Sequence, residues 1–371
     1  MAVNGPLPDD FMRLPSDFLM PIKPVNSTSF AVLDQTKLPL EIVYENVSNV
    51  KGGCDAIKTM KVRGAPAIAT VALRTVSCEL QAFAKHHETM QSSDIEGLIN
   101  SVAQQLIACR PTAIDLMNAM SQVCKAATYG ATAIDKVAKI QEVIDSLLDA
   151  EIEQNRVLVW NGYQEVLSTK PEGHQFTIMT ICNTGTLATS SWGTALGVIY
   201  ALFRNNKLKM VYALETRPYY QGLRLTATEL SSFGVPFKVI PDGAAASAMR
   251  KFKVDAVLTG VDQVTLNGDF ANKIGTYALS IAAKEHGIPF YPVVPRTSVN
   301  LNRYNGDEIV IEERPSKEML AQKDVYIAPA ETPVWNPAFD VTPAPLITKF
   351  ITDFGNFKPE EIKEAVKILK D

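Results

Sequence analysis

The chain has 371 residues, 46% of them hydrophobic and 20% charged. That is the balance of a globular protein with room for two domains and a substantial core, and it excludes a largely disordered chain. Its 36 basic and 40 acidic residues leave a formal charge of −4 and are well mixed, so no basic stripe points to nucleic acid and no acidic run to a solvated tail.

An anionic ligand must then be held by a few local cations and backbone amides. The opening residues Met1 to Pro6 carry neither a charged n-region nor an apolar h-region, so no secretory signal is expected. The most apolar run, Thr194 to Phe203, is shorter than the roughly 20 residues that cross a bilayer, and no membrane partner is expected. Cys54, Cys78, Cys109, Cys124 and Cys182 form no Cys-x-x-Cys pair and have no partner histidines at zinc spacing. They read as reduced thiols of a cytoplasmic protein, and no metal or other cofactor is expected.

Residues before about Phe30 are rich in Pro, Asp and Ser and read as an irregular arm. Two short alternating runs, Ser29–Leu33 and Glu41–Tyr44, flank a turn-prone stretch and predict a small hairpin. From Cys54 to Ala127 the pattern is helical, with segments at 66–84, 94–108 and 113–126 broken by Pro66, Gly97 and Pro111. One long helix is predicted from Ala133 to Val166, because Val137, Ile140, Val143, Ile144, Leu147 and Leu148 recur at helical spacing. It is read as the arm joining two domains.

Beyond Gly173 the style changes. Short apolar runs at Phe176–Ile181, Met210–Leu214, Phe237–Ile240, Ala256–Leu258, Phe290–Val294 and Val325–Ala328 alternate with helical stretches at Leu187–Phe203, Gln221–Phe233 and Ile274–His286. Strands apolar on both sides, separated by helices, predict an α/β parallel sheet covered on both faces. The expected organisation is a mostly helical domain over 1–150, with its short β-hairpin, followed by a parallel α/β domain over 151–371. Ligands of such sheets bind beyond the carboxyl ends of the strands. That rule nominates Cys182-Asn183, Glu215-Thr216-Arg217, Asp242 and Gly260-Val261-Asp262.

Each nominated residue has two readings. Cys182 leaves a strand and enters Asn183-Thr184-Gly185-Thr186 before a helix, where the dipole favours thiolate and amides can receive an oxyanion. It is equally the small buried hydrophobe that most cysteines are. Asp262 stands at the mouth of an apolar strand, where desolvation can make a carboxyl a usable acid. A turn or cap role is the ordinary alternative. Lys273, with Asn272 at a helix start, opposes the dipole and is better explained if an anion sits there, though a solvated lysine is common. Arg63-Gly64-Ala65-Pro66 and Arg110-Pro111-Thr112 each place an arginine before a proline-opened helix, a plausible phosphate clamp but a widespread pattern. Gln221 can serve sugar hydroxyls. No Gly-x-Gly-x-x-Gly or P-loop motif is present, which argues against dinucleotides and nucleoside triphosphates.

Taken together and in order, Arg63–Ile68, Arg110–Ala113, Cys182–Gly185, Glu215–Pro218 with Gln221-Gly222, Asn267–Asp269, Asn272–Thr276 and Asn336–Pro343 resemble the methylthioribose-1-phosphate isomerase family. The resemblance implies a small N-terminal domain on a Rossmann-like domain, a homodimer, no cofactor, and placement in the cytoplasm, with the nucleus as a second compartment. It implies conversion of a sugar phosphate from aldose to ketose in methionine salvage. Residue by residue, it makes Asp262 the catalytic acid and Cys182 the catalytic cysteine. Arg63, Gly64, Ala65, Arg110, Gln221, Asn272 and Lys273 become substrate-binding positions. The chain departs from the family at Ile181, where histidine is usual, at Gln263, where arginine is usual, and at Ser191-Trp192-Gly193, which stands for Gly-Tyr-Gly. Two other readings stay open: an isomerase of another pentose 1-phosphate, and a non-catalytic regulatory subunit of a translation-initiation exchange factor.

Overall fold

A computed structural model describes residues 11, 18–86, 91–110, 113–322 and 325–369. Pro111 and Thr112 of the second arginine motif, and Met1 to Pro6 of the arm, lie outside the described residues. The chain divides into two compact units. One, the helical unit, is Leu19–Asn155 with Thr186–Gly193; the other, the sheet unit, holds Arg156–Gly185, the chain from Thr194 onward, and the residues before Leu19.

The helical unit opens with three antiparallel strands, β1 (Ile22–Asn26), β2 (Ser29–Leu33) and β3 (Tyr44–Val47), in that order. Ladder β2–β3 runs from Leu33↔Tyr44 to Phe30↔Val47, later than the expected Glu41 start. The cause is local: Asp34 Oδ1 accepts from Thr36 N–H and Oγ1, and Leu40 and Glu41 N–H bond back to Lys37 O. The turn therefore takes up Glu41. Strand β1 lies in what reads as an irregular arm, because Pro24 disguises it; a proline is tolerated on an edge strand.

Helices α1 (Val50–Lys58), α2 (Ala65–His86), α3 (Ser92–Cys109) and α4 (Ile114–Ala126) follow, then the long α5 (Ala133–Leu167). Val76, Leu80, Ile95, Ile99, Met120 and Ile144 are fully buried among them, one apolar stripe per helix. The remaining short helix, α6 (Thr186–Thr189), returns to this unit from later in the chain.

In the sheet unit, β4 (Phe176–Thr180), β5 (Leu208–Leu214), β6 (Phe237–Ile240), β7 (Ala256–Thr259) and β10 (Phe290–Val294) are joined by α7 (Ala195–Arg204), α8 (Ala227–Phe233), α9 (Ala245–Phe252) and α10 (Thr276–Glu285). With β14 (Phe350–Thr352) and β15 (Gly355–Phe357) they make a seven-stranded sheet, order β15-β14-β10-β7-β4-β5-β6, parallel except for β15. Every residue of β4, β7 and β10 is buried, which requires cover on both faces. A second antiparallel sheet, β8 (Gln263–Val264), β9 (Phe270–Lys273) and β13 (Phe339–Thr342), grows from the loop after β7.

Two expectations are corrected here. The helix predicted over Leu187–Phe203 is two helices, because Ser190 and Gly193 adopt φ of 102° and 90° between them. The apolar run Val325–Ala328 is not a sheet-core strand. Among the described residues Val325 and Tyr326, which form β12, pair with β11 (Ala321–Gln322) alone and are 67% and 49% exposed.

Candidate active site

Strand β4 ends at Thr180, and the chain turns sharply at Cys182, which holds φ = 65° and is buried. A non-glycine residue in the left-handed region persists only when its surroundings over-determine it. Two threonines do so. Cys182 N–H donates to Thr216 Oγ1 at 2.9 Å, and Thr226 Oγ1 donates to Cys182 O at 2.6 Å. Thr216 donates its own proton to Leu214 O, which fixes its oxygen as the acceptor for Cys182. Both threonines are fully buried, so water cannot substitute for either bond.

Below this loop lies Glu229, also fully buried. Its Oε1 accepts from Asn183 Nδ2 at 2.7 Å and its Oε2 from Tyr200 Oη at 3.1 Å. Burial, and after it the Glu229 charge, hold the Tyr200 phenol well above its ordinary pKa, so it stays a donor. A Cβ at Gly185 would stand 2.2 Å from Glu229 Oε2, which is why the loop carries glycine there. Sequence alone missed Thr226 and Glu229. Their three-residue spacing on a predicted helix was the available signal, because both then face the same strand end.

The loop after β5 is equally constrained. Asp242, nominated as a strand-end residue, is occupied by the N–H groups of Thr216 and Arg217 at 2.8 and 2.7 Å. Arg217 donates to Tyr220 Oη and Met319 O, a structural role. From Gln221 to Thr226 the chain forms a π-helical turn, a wider turn often found at functional sites. Gly222 makes it feasible, since a Cβ there would lie 1.7 Å from Leu214 O. Gln221 is 3% exposed, and its Oε1 accepts no hydrogen bond among the described residues. A buried amide oxygen without a donor is costly unless a ligand supplies one.

After β7, Gly260 passes so close to the cysteine loop that a Cβ would meet Thr184 Cγ2 at 2.6 Å. This brings Gly260-Val261-Asp262 alongside Cys182-Asn183-Thr184. Asp262 N–H donates to Ala271 O at 3.0 Å, beside the pair Gln263↔Ala271, so the aspartate stands next to Asn272. Gln263 is buried with its Oε1 unpartnered among the described residues. Asn272 Nδ2 donates to Thr276 Oγ1, and Lys273 Nζ donates to Ala338 O while lying 4.3 Å over the Phe339 ring. At the start of α10, Asp340 accepts from Gly275 and Tyr277 N–H. Ile181 Cδ1 would touch a Cβ on Gly275, which returns the circuit to Cys182. The sheet unit thus gathers Cys182, Gln221, Asp262, Asn272 and Lys273 at the carboxyl ends of its parallel strands.

Arg63, Gly64, Ala65 and Arg110 belong to the helical unit. Gly64 has φ = 94°, and a Cβ on it would lie 2.4 Å from Ala188 O. The α6 turn is held from the same side by Gln35 Nε2, which donates to Leu187 O at 2.8 Å. Arg63 and Ala65 flank that contact, both half-buried, and α2 starts at Ala65. Arg110 closes α3, its N–H bonding to Ile107 O. Four cysteines pack in or against this unit's core. Burial, with the neighbouring Cys109 thiol, pushes Cys54 up to about 12, and burial raises Cys78 and Cys124 too. None of these is a ready nucleophile. Among the described residues no group of three or more His, Cys, Asp or Glu is placed to hold a metal ion, and no helix is long and apolar enough to cross a membrane.

A parallel α/β sheet with buried polar groups gathered at its strand ends, in a chain that also folds a helical unit, defines the class, and the chain belongs to the Initiation factor 2 subunit family, whose profile matches residues 61–359. Within that family it is 50% identical to methylthioribose-1-phosphate isomerase of Caenorhabditis elegans, over 98% of this chain and 97% of the relative. The crystal structure of 5-methylthioribose 1-phosphate isomerase from Pyrococcus horikoshii matches with a TM-score of 0.84 at 35% identity, covering 98% of both chains. The translation initiation factor eIF-2B subunit delta from A. fulgidus matches with a TM-score of 0.79 at 33% identity, over 95% of this chain and 100% of that one.

Proposed function

We propose that the chain is an aldose–ketose isomerase that converts 5-methylthioribose 1-phosphate to 5-methylthioribulose 1-phosphate in methionine salvage, with Asp262 and Cys182 as its catalytic groups. The observation that carries the assignment of groups is the meeting of two strand-end loops, Gly260 against Thr184, which sets the aspartate and cysteine segments side by side. Gln221, Asn272 and Lys273 take the substrate's hydroxyls and phosphate, and the family resemblance adds Arg63, Gly64, Ala65 and Arg110 as substrate-binding positions.

In the substrate the anomeric oxygen carries the phosphate, so the ring cannot open to a free aldehyde in the ordinary way. Asp262 gives a proton to the ring oxygen as the ring opens. Hydrogen then passes from C2 to C1, and Cys182 manages the proton of the C2 hydroxyl as the ketone forms. The apolar neighbours, Ile181 among them, exclude water that would trap charge developing at C1 and so favour a hydride shift over an enediolate. Turnover in deuterated water separates the two, because deuterium at C1 of the product rules out a pure hydride shift. Cys182→Ala and Asp262→Asn should each lower kcat by a thousandfold or so while the circular dichroism is kept; near-normal rates in either would remove that residue from the mechanism. A panel of pentose 1-phosphates differing at C5 tests the substrate, and inactivity on all of them would favour a regulatory-subunit role. The active form is a homodimer in the cytoplasm and nucleus, testable by light scattering and by cell fractionation.

A further inference from the structure

The segment Ala338–Asp340 of β13 and its approach leaves little of the Asn272–Tyr277 stretch to itself. In register, Asp340 stands across from Asn272 and Phe339 across from Lys273. Ala338 O accepts both Ile274 N–H, at 3.1 Å, and Lys273 Nζ, at 2.9 Å. Thr276 Oγ1 ties the turn internally, accepting from Asn272 Nδ2 and donating to Lys273 O at 2.6 Å. The chain reverses at Gly275, φ = 99°, and the two ends of that reversal are fixed by one side chain. Asp340 Oδ2 accepts from Gly275 N–H at 2.8 Å and Oδ1 from Tyr277 N–H at 3.1 Å.

We infer that Asp340 is a positioning residue for substrate binding: by filling the amide site at the start of α10, it sets the direction of the Asn272 and Lys273 side chains and closes that site to the substrate's phosphate. The inference rests on the proposed isomerase function for its kinetic readout only. A carboxylate accepts two N–H groups in this geometry, whereas an amide of the same shape offers one oxygen and turns a donor toward the other N–H. The charge matters as well, since it opposes the partial positive end of α10 and faces Lys273. Burial pushes the Asp340 carboxyl up to about 6, against the pull of the Gly275 and Tyr277 amides and of Lys273. Those are the groups that face it, from β9, the turn and α10.

The test compares wild type with Asp340→Asn. In the variant, KM for 5-methylthioribose 1-phosphate should rise about tenfold with kcat changed less than threefold, because the groups touching the reacting atoms are left in place. Wild-type KM should climb below pH 6 more steeply than that of Asp340→Asn; the comparison is needed because the substrate phosphate itself titrates near pH 6. A folded Asp340→Asn with KM within twofold of wild type overturns the inference. Hydrogen exchange reads the same hold without turnover: an opening that frees the Gly275 and Tyr277 amides while Asp340 stays buried removes the pull that holds its pKa down, so protonation favours that opening, and wild-type protection factors at both amides should fall as pH drops through 6. Protection unchanged from pH 5 to 7.5 overturns it too, whether or not the variant folds. A wild-type chain inactive on the substrate would sink the isomerase reading and leave the exchange result to decide Asp340.

Discussion

Thr226→Val probes the clamp on Cys182 with almost no change of shape. The hydroxyl it removes donates to Cys182 O at 2.6 Å from a fully buried position. Water does not reach that position to replace the bond, and losing a buried hydrogen bond in this way costs about 1–3 kcal/mol. The left-handed turn at Cys182 itself holds about 1–2 kcal/mol of conformational energy, so the loop has a cheaper conformation to relax into once one tie is gone. A net loss near 2 kcal/mol is expected, which for a unit of this size lowers Tm by roughly 4–8 °C. The thiol moves with the loop, and a displacement of about 1 Å costs up to ~100-fold in rate; kcat should fall at least tenfold. Differential scanning calorimetry and initial rates measure both. Thr216→Val removes the other tie, and the double variant should lose less than the sum of the single losses, because both act on one residue. A Thr226→Val protein with wild-type Tm and kcat, or strictly additive losses, would refute the clamp.

Gly222→Ala should cost more than about 3 kcal/mol, since its Cβ has no room beside Leu214 O; an unchanged denaturant midpoint would contradict the π-turn geometry. Gly64→Ala combines an unfavourable φ with a clash against Ala188 O, so the helical unit should exchange its amides faster and KM should rise; wild-type exchange would count against it. Burial, followed by the charge of Asp115, pushes Glu151 up to about 8 from its ordinary 4.5. The unfolded chain therefore ionises first, and the contribution of Glu151 to stability is greatest below pH 4.5 and falls as pH rises to about 8. Glu151→Gln should remove this slope, gaining in Tm over wild type from pH 5 to pH 8; a difference constant across that range would exclude the linkage.

Much of the sheet was legible because its strands are buried on both sides. Phe290–Val294, buried throughout, occurs at the bounds read from the sequence, and so does Phe237–Ile240, a half-buried edge strand whose apolar run still gives it away. Strands β8, β9 and β13 were not seen. They are short and carry Gln263, Asn272, Lys273 and Asp340, polar residues that break any alternation, and their pairing depends on partners far along the chain. Val325–Ala328 misled for the opposite reason: an apolar run reads as core, but here it stays at the surface. The candidate site follows the same division. Cys182, Thr216 and Asp262 could be nominated from where strands end, whereas the supporting groups Thr226, Glu229 and Asp340 look like ordinary loop or helix residues until the fold turns them inward.

The assignment of Thr186–Gly193 to the helical unit sets a schedule for synthesis. When Asn155 leaves the ribosome, that unit still lacks the backbone that Gly64 packs against and the Leu187 carbonyl that Gln35 reaches. At about 5–20 residues per second, roughly 2–8 s pass before Gly193 is made. In that interval β4 and the Cys182 turn emerge first. The helical unit therefore completes its packing around Gly64 and Gln35 only after the first strand of the sheet unit has been made.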